Sequence, residues 1–263
     1  FRVVSVELFE RDVKLRMPFR FGVVTLTESP QAFVRCRIRT EDDREAEGAA
    51  AELLAPKWFD KNPALSNEDN YEQLRGSLRA ARARYLENGA RTAWAHSSPG
   101  KGLVENYGPA LIDRALLDAL CRAVDFSFYG VVKENLVGAE KFEGIDLPAF
   151  FSQLKPLQQV AARHTVGLVD PITAADVKQR VNDGLPETLE EVVARYGHRY
   201  FKLKVGGKVD EDVERLAQIA ALLDRAGEPY KATLDGNEQF DNADAVIALW
   251  RRIRLEDAAL RPG

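Results

Sequence analysis

Tyr200-Phe201-Lys202-Leu203-Lys204-Val205-Gly206-Gly207 is followed, one helical stretch later, by Lys231-Ala232-Thr233-Leu234-Asp235-Gly236-Asn237-Glu238. Each reads as a short strand that runs into charged residues and glycine before a helix. With period-two alternation, Phe201, Leu203 and Val205 share one face of the first strand, while Lys202 and Lys204 share the other. In the second, Leu234 goes with the apolar set and Thr233, Asp235 and Asn237 face the opposite way. Two ammonium groups, a carboxylate and an amide are thereby placed at the C-terminal ends of consecutive strands.

The flanking sequence repeats the same unit. Thr165-Val166-Gly167-Leu168-Val169-Asp170 reads as a strand stopped at Pro171. A helix opening near Pro186 carries Leu189, Val192, Val193 and Tyr196 on one stripe and closes at Gly197. After the lysine strand, a helix over about 210–226 turns Val213, Leu216, Ile219, Ala220 and Leu223 towards the sheet. The helix after the Asp235 strand, capped at Asp241 or Asn242, is expected to bury Val246, Leu249, Trp250 and Ile253. Strands beginning at Thr165, Tyr200 and Lys231 with helices between them must run parallel.

The first half is organised differently. Val4, Val6 and Leu8 alternate with polar residues, as do Val34, Cys36 and Ile38, and a third strand follows the acidic turn Glu41-Asp42-Asp43. These predict a half-buried antiparallel sheet. Between the first two strands, Pro18-Phe19-Arg20-Phe21-Gly22-Val23-Val24-Thr25-Leu26-Thr27 is either a hairpin extension or a flap over a ligand. Two helices come next, one with Tyr71, Leu74, Leu78, Ala81 and Tyr85 in register, the other with Leu111, Ala115, Leu116, Ala119, Leu120 and Ala123. Strands first and helices afterwards make an α+β domain. The stretch 140–156, rich in glycine, proline and mixed polarity, marks the boundary, giving domains 1–150 and 151–263.

Bulk properties exclude several classes. The 263 residues are 45% hydrophobic and 30% charged with net charge -4, and the pI is near 5.6. There is no basic field for nucleic acid, no run of about 18 apolar residues for a membrane span, and no signal-peptide layout. The expected setting is the cytoplasm. Cys36 and Cys121, far apart and without ligand-type neighbours, are expected to be free thiols.

Lysines on a strand of a covered parallel sheet are costly unless water or a counter-charge reaches them. The exception is the C-terminal end of the strands, where α/β barrels open into their active sites. Ammonium groups about 6.6 Å apart repel by roughly 2.5 kcal/mol at an effective dielectric near 20. That repulsion, with a divalent cation held by Asp235, favours a neutral amine able to take a proton.

The Lys202-Leu203-Lys204 and Asp235-Gly236-Asn237 pair, one βα unit apart, resembles the Lys-x-Lys and Asp-x-Asn signatures of the enolase superfamily, in the mandelate-racemase and muconate-lactonizing branch. The resemblance implies an α+β capping domain followed by a TIM-type α/β barrel, of which about the first three βα units are present. It also implies a Mg²⁺-dependent isomerase or lyase that removes the proton α to a carboxylate, leading to racemisation or epimerisation, dehydration or cycloisomerisation. Lys204 would be the acid/base, Lys202 its assistant or a contact for the substrate carboxylate, Asp235 the first metal ligand, and Asn237 the group that orients substrate or lysine. The 19–27 loop would close the pocket, with Phe19 and Thr25 lining it. Expected partners are a small-molecule carboxylate and further copies of the chain, with no nucleic acid and no membrane.

Three βα units fall short of the about 250 residues of a (β/α)₈ barrel, so the sequence is expected to be part of a longer chain. Further metal ligands and the opposing acid/base are not assignable from it. His164 and His198 precede their strands and are expected at the surface, His96 lies in a loop without an evident partner, and Asp170 either helps in the site or ends its strand. Two other classes compete: a phosphate- or nucleotide-binding α/β domain using Gly206-Gly207-Lys208 as an anion cradle, and a non-catalytic scaffold.

Overall fold

The structure is a computed structural model that describes residues 1–22 and 24–260. The chain divides into two compact units, one made of residues 1–14 and 28–158 and the other of 15–27 and 159 onward. β1 (Arg2–Phe21), β2 (Val24–Arg39) and β3 (Glu45–Leu53) form one sheet in that order, with the far end of the β1–β2 pair, residues 15–21 and 24–27, counted in the second unit and the rest in the first. β2 and β3 pair antiparallel from Gln31 opposite Leu53 to Arg39 opposite Glu45. The 18–27 stretch is therefore the end of a long hairpin that turns at Gly22, and Val23 lies outside the described residues.

α1 (Asn67–Glu87) begins at Ser66, whose side chain accepts from Asp69 N while Asp69 answers to the Ser66 backbone. Both first-turn donors are thus satisfied. It is followed by α2 (Ala93–His96) and α3 (Leu103–Val124). Leu74, Leu78, Ala81 and Tyr85 of α1 and Leu111, Ala115, Leu116 and Ala119 of α3 are buried with Val34, Cys36 and Ile38 of the sheet. α3 comes so close to β3 that a Cβ at Gly48 would lie 2.1 Å from Ala119 N and 2.2 Å from Ala115 O. Only glycine allows that approach.

His96 departs from expectation. It ends α2 rather than lying in a loop, is fully buried, and stacks on Phe1 and Tyr85 at 5.2 and 6.3 Å. After α4 (Phe128–Lys133), the 140–156 stretch also carries more structure than its composition suggests. β4 (Lys141–Phe142) and β5 (Ile145–Asp146) pair across a Glu143-Gly144 turn in which both residues have positive φ. Asp146 then caps α5 (Leu147–Ser152) through Ala149 N.

The second unit is built on three parallel strands in the order β6 (Arg163–Val166), β7 (Tyr200–Lys204), β8 (Lys231–Asp235). β6 is shorter than its apolar run predicts, because Gly167 N donates to the Asp170 carboxylate at 2.7 Å and leaves the ladder. Asp170 thus terminates the strand. α6 (Leu189–Tyr196) has a Thr188/Glu191 capping box and a left-handed Gly197 at its end. α7 (Val209–Arg225) covers the sheet with Ile219, Leu222 and Leu223, packed with Phe201, Leu203, Val166 and Leu189. His164 lies within β6 and is half-buried, stacked at 5.6 Å on His198; burial first, then the neighbouring His198, keeps it below the usual imidazole range.

In α8 (Ala243–Leu260), Asn242 caps through Ala245 N at 3.0 Å. Leu249 is buried against Val205 and Val213. Val246 and Trp250, expected inside, are 47% and 56% exposed, and Leu234 of β8 is 39% exposed. The reason is topological: β8 is hydrogen-bonded to β7 on one side and to no other strand among those described. Both cysteines are free, and no helix among the described residues is long and apolar enough to cross a membrane. Replacing Gly48 by Ala should force α3 off β3 and cost about 1–3 kcal/mol, read as a lower urea midpoint with an unchanged m-value.

Candidate functional site

β7 and β8 lie in register with Lys204 opposite Asp235 and Lys202 opposite Thr233. In a parallel pair, opposed residues point to the same face, so both lysines and the carboxylate meet. Lys204 Nζ donates to Asp235 Oδ2 at 2.8 Å and also to Asn237 Oδ1. Lys202 Nζ lies 3.2 Å from the same Asp235 oxygen. The Lys204 side chain is only 2% exposed, and its charge is met by one carboxylate and one amide.

Asp235 is the hub of this group. Its Oδ2 faces both ammonium groups, and its Oδ1 accepts Asn237 N at 3.1 Å. Burial alone would push the carboxyl up, but the hydrogen bonds from Lys204 and Lys202 outweigh it and hold the carboxyl below the usual carboxylate range. Asn237 and Glu238 both take positive φ, 44° and 56°. That left-handed bend turns the chain sharply after β8 and lets the Asn237 side chain reach back to Lys204.

The loops after the two strands are fastened together. Gly206 N and Gly207 N donate to the two oxygens of Asp212 at 2.7 and 2.9 Å. Gly207, at φ 81°, sits so close to the next loop that a Cβ would meet Gln239 O at 2.3 Å. The anion cradle that Gly206-Gly207-Lys208 could have formed is therefore filled by the chain's own carboxylate, and Lys208 pairs with Glu211 at 3.0 Å. A bound phosphate would have to displace Asp212.

Phe19 and Thr25 are not in contact with the lysines in any interaction described; Phe19 is half-buried beside Phe21 at 5.8 Å and Thr25 is exposed. Their hairpin does reach the same region of the second unit, since a Cβ at Gly22 would lie 3.4 Å from Gln239 Nε2 and 3.8 Å from Asn237 O. Arg16 anchors it: Nε and Nη2 donate to the Asp183 carboxylate at 2.5 and 2.7 Å, and Nη2 and Nη1 to the Leu185 and Pro186 carbonyls at 3.0 Å each. The Arg16 hydrogen bond brings the Asp183 carboxyl down to about 2. Sequence reasoning overlooked Arg16 and Asp212. The only trace of Asp212 was its place in the acidic first turn of α7, which also reads as ordinary helix-dipole compensation.

One carboxylate held by two ammonium groups does not by itself make a Mg²⁺ site, which takes about six oxygens. Among the described residues no three His, Cys, Asp or Glu side chains come together to hold a metal.

No family model and no curated protein matches the chain. Solved structures do. A mandelate racemase/muconate lactonizing protein from Herpetosiphon aurantiacus matches with TM-score 0.58 at 16% identity, over 97% of this chain and 58% of that one. An enolase from Bradyrhizobium complexed with magnesium and mandelic acid matches with TM-score 0.59 at 15% identity, over 95% and 59%. A substrate-liganded L-Ala-D/L-Glu epimerase from Bacillus subtilis matches with TM-score 0.59 at 17% identity, over 99% and 59%. The likeness is one of fold, and the chain spans less than two thirds of each of these structures.

Asp235→Asn leaves the buried Lys204 ammonium without its counter-charge. It should cost about 3 kcal/mol at pH 7, the low end for breaking a buried pair because Asp235 is itself 28% exposed. The lowered carboxyl contributes its stability in full above about pH 5 and loses it as the pH falls through its folded value. Urea unfolding should therefore show the gap between parent and variant shrinking towards pH 3.

Proposed function

We propose that the chain, which has the fold of the mandelate-racemase and muconate-lactonizing branch of the enolase superfamily, is part of an enzyme that removes the proton α to a carboxylate. The three parallel strands are then a section of a (β/α)₈ barrel and the first unit is its capping domain. The observation that carries this reading is the buried Lys204 amine at the end of β7, in hydrogen-bond contact with Asp235 and Asn237.

Once its ammonium has released a proton to water, Lys204 takes the α-proton at the free lone pair of Nζ. In the resulting ammonium, two of its three N–H bonds are already directed at Asp235 Oδ2 and Asn237 Oδ1, so the amine is oriented and little reorganisation accompanies the transfer. Lys202, more exposed than Lys204 and fixed by the same carboxylate, offers positive charge to the substrate carboxylate. The hairpin end bearing Phe19 and Thr25 supplies apolar and hydroxyl surface for the remainder of the substrate. Mg²⁺, which accompanies mandelic acid in the Bradyrhizobium structure, would neutralise charge on the substrate oxygens. Asp235 is the one ligand that these residues offer it, and the others must come from elsewhere in the whole protein. Racemases and epimerases among the similar structures favour return of the proton over elimination as the outcome. The phosphate-binding alternative is disfavoured by the Asp212 carboxylate on the Gly206 and Gly207 amides.

Incubation in D₂O with Mg²⁺ and a panel of mandelate, N-acyl amino acids and dipeptides should place deuterium at the α-carbon of at least one. Lys204→Ala should slow that exchange by 10² or more, the usual reach of a positioned base. Exchange at the parent rate in Lys204→Ala would remove the assigned base. In the whole protein, Mg²⁺ should raise the thermal midpoint of the parent and much less that of Asp235→Asn.

A further inference from the structure

Asp212 is a carboxylate with only 6% of its surface exposed. Its two oxygens accept one backbone N–H each, from Gly206 at 2.7 Å and Gly207 at 2.9 Å. Those amides belong to the loop that leaves β7 two residues beyond Lys204. A carboxyl group in so buried a place needs partners for both oxygens, and here the donors are main-chain atoms, so the contact fixes backbone rather than another side chain.

The constraint propagates by contact. Gly207 is pressed against Gln239, with room for no Cβ. Gln239 N donates to Gly236 O at 2.9 Å, and Gln239 Nε2 to Asn237 O at 3.3 Å. Residues 236–239 therefore form a closed turn, and that turn holds Asn237 in its left-handed conformation with its amide oxygen on Lys204 Nζ. Val205 N donating to Asp235 O at 3.1 Å ties the same two loops at their base. A shift of Gly206-Gly207 would move Gln239, then Asn237, and so the amine.

We infer that Asp212 is a positioning residue for Lys204. By clasping the Gly206 and Gly207 amides it sets the surface on which the 236–239 turn rests, and through that turn it aims the amine. That Lys204 serves as a base rests on the function proposed above; that Asp212 determines where Lys204 is held does not.

The test needs no substrate. A lysine ammonium locked between a carboxylate and an amide exchanges slowly with water at low temperature, so a sample labelled with ¹⁵N-lysine and ¹⁵N-glycine reports both the amine and the loop. The parent should therefore show a Lys204 ¹H–¹⁵Nζ cross-peak, identified by its loss in Lys204→Arg. In Asp212→Ala that cross-peak should shift or broaden beyond detection, with the Gly206 and Gly207 amides exchanging about 10-fold faster or more. Gly207→Ala, which separates the two loops by steric force and leaves Asp212 intact, should displace the same cross-peak. Asp212→Asn, which keeps the volume and one acceptor, covers the case in which either variant fails to fold. A Lys204 cross-peak at the parent position in a folded variant whose glycine amides are deprotected would overturn the inference. So would its absence in the parent, where a held amine is the premise. Failure of the proposed reaction would show instead as missing α-deuterium in the parent, with this spectrum unaffected.

Discussion

A lysine ammonium almost wholly removed from water dictates how the second unit is put together. Lys204 occupies an inward position of the central strand, where a bare charge would cost several kcal/mol, so the neighbouring strand must present a carboxylate at the same height. The parallel register does so by setting Lys204 opposite Asp235. Once that pair is fixed, Lys202 comes onto the same oxygen, the chain must bend left-handed after β8 for Asn237 to supply a second acceptor, and the two strand-end loops are drawn into contact at Gly207 and Gln239. Stability and chemistry make the same demand here, since the groups that make burial of the amine tolerable are also those that aim it.

Much of this could be read in the sequence, and for identifiable reasons. The alternation in Phe201-Lys202-Leu203-Lys204-Val205 fixes faces because a strand has a period of two, and the helices between strands force them parallel. The glycine ending α6 is a local signal that survived into the structure unchanged. What was not legible depended on contacts distant in sequence. Nothing near Asp212 says that its carboxylate folds back onto Gly206 and Gly207, and nothing near Arg16 points to Asp183, 167 residues away. The His96 environment is of the same kind, since a loop-like Ser-Ser-Pro-Gly context hides a side chain sandwiched between Phe1 and Tyr85.

Where the pattern misled, the cause was an assumption about neighbours. The stripe Val246, Leu249, Trp250 and Ile253 is a sound amphipathic face, and Leu249 is buried as such a face requires. Val246 and Trp250 are open because amphipathicity specifies that a face wants cover without specifying that cover is at hand. The hairpin posed the opposite problem. Its aromatic and β-branched residues fit either a flap or a strand, and the end of β1 and the start of β2 turn out to be strand continuing to Gly22, with the turn resting beside Gln239.

The outer edge of β8 shows in which direction the sheet is built to grow. Among the described residues it pairs with no other strand, and it lies beside the exposed side chains of Leu234, Val246 and Trp250, which is the form of an edge made to receive a neighbour. In the barrel proposed above, the next parallel strand pairs there, and the apolar side chains that look out of place on three strands become interior ones on four.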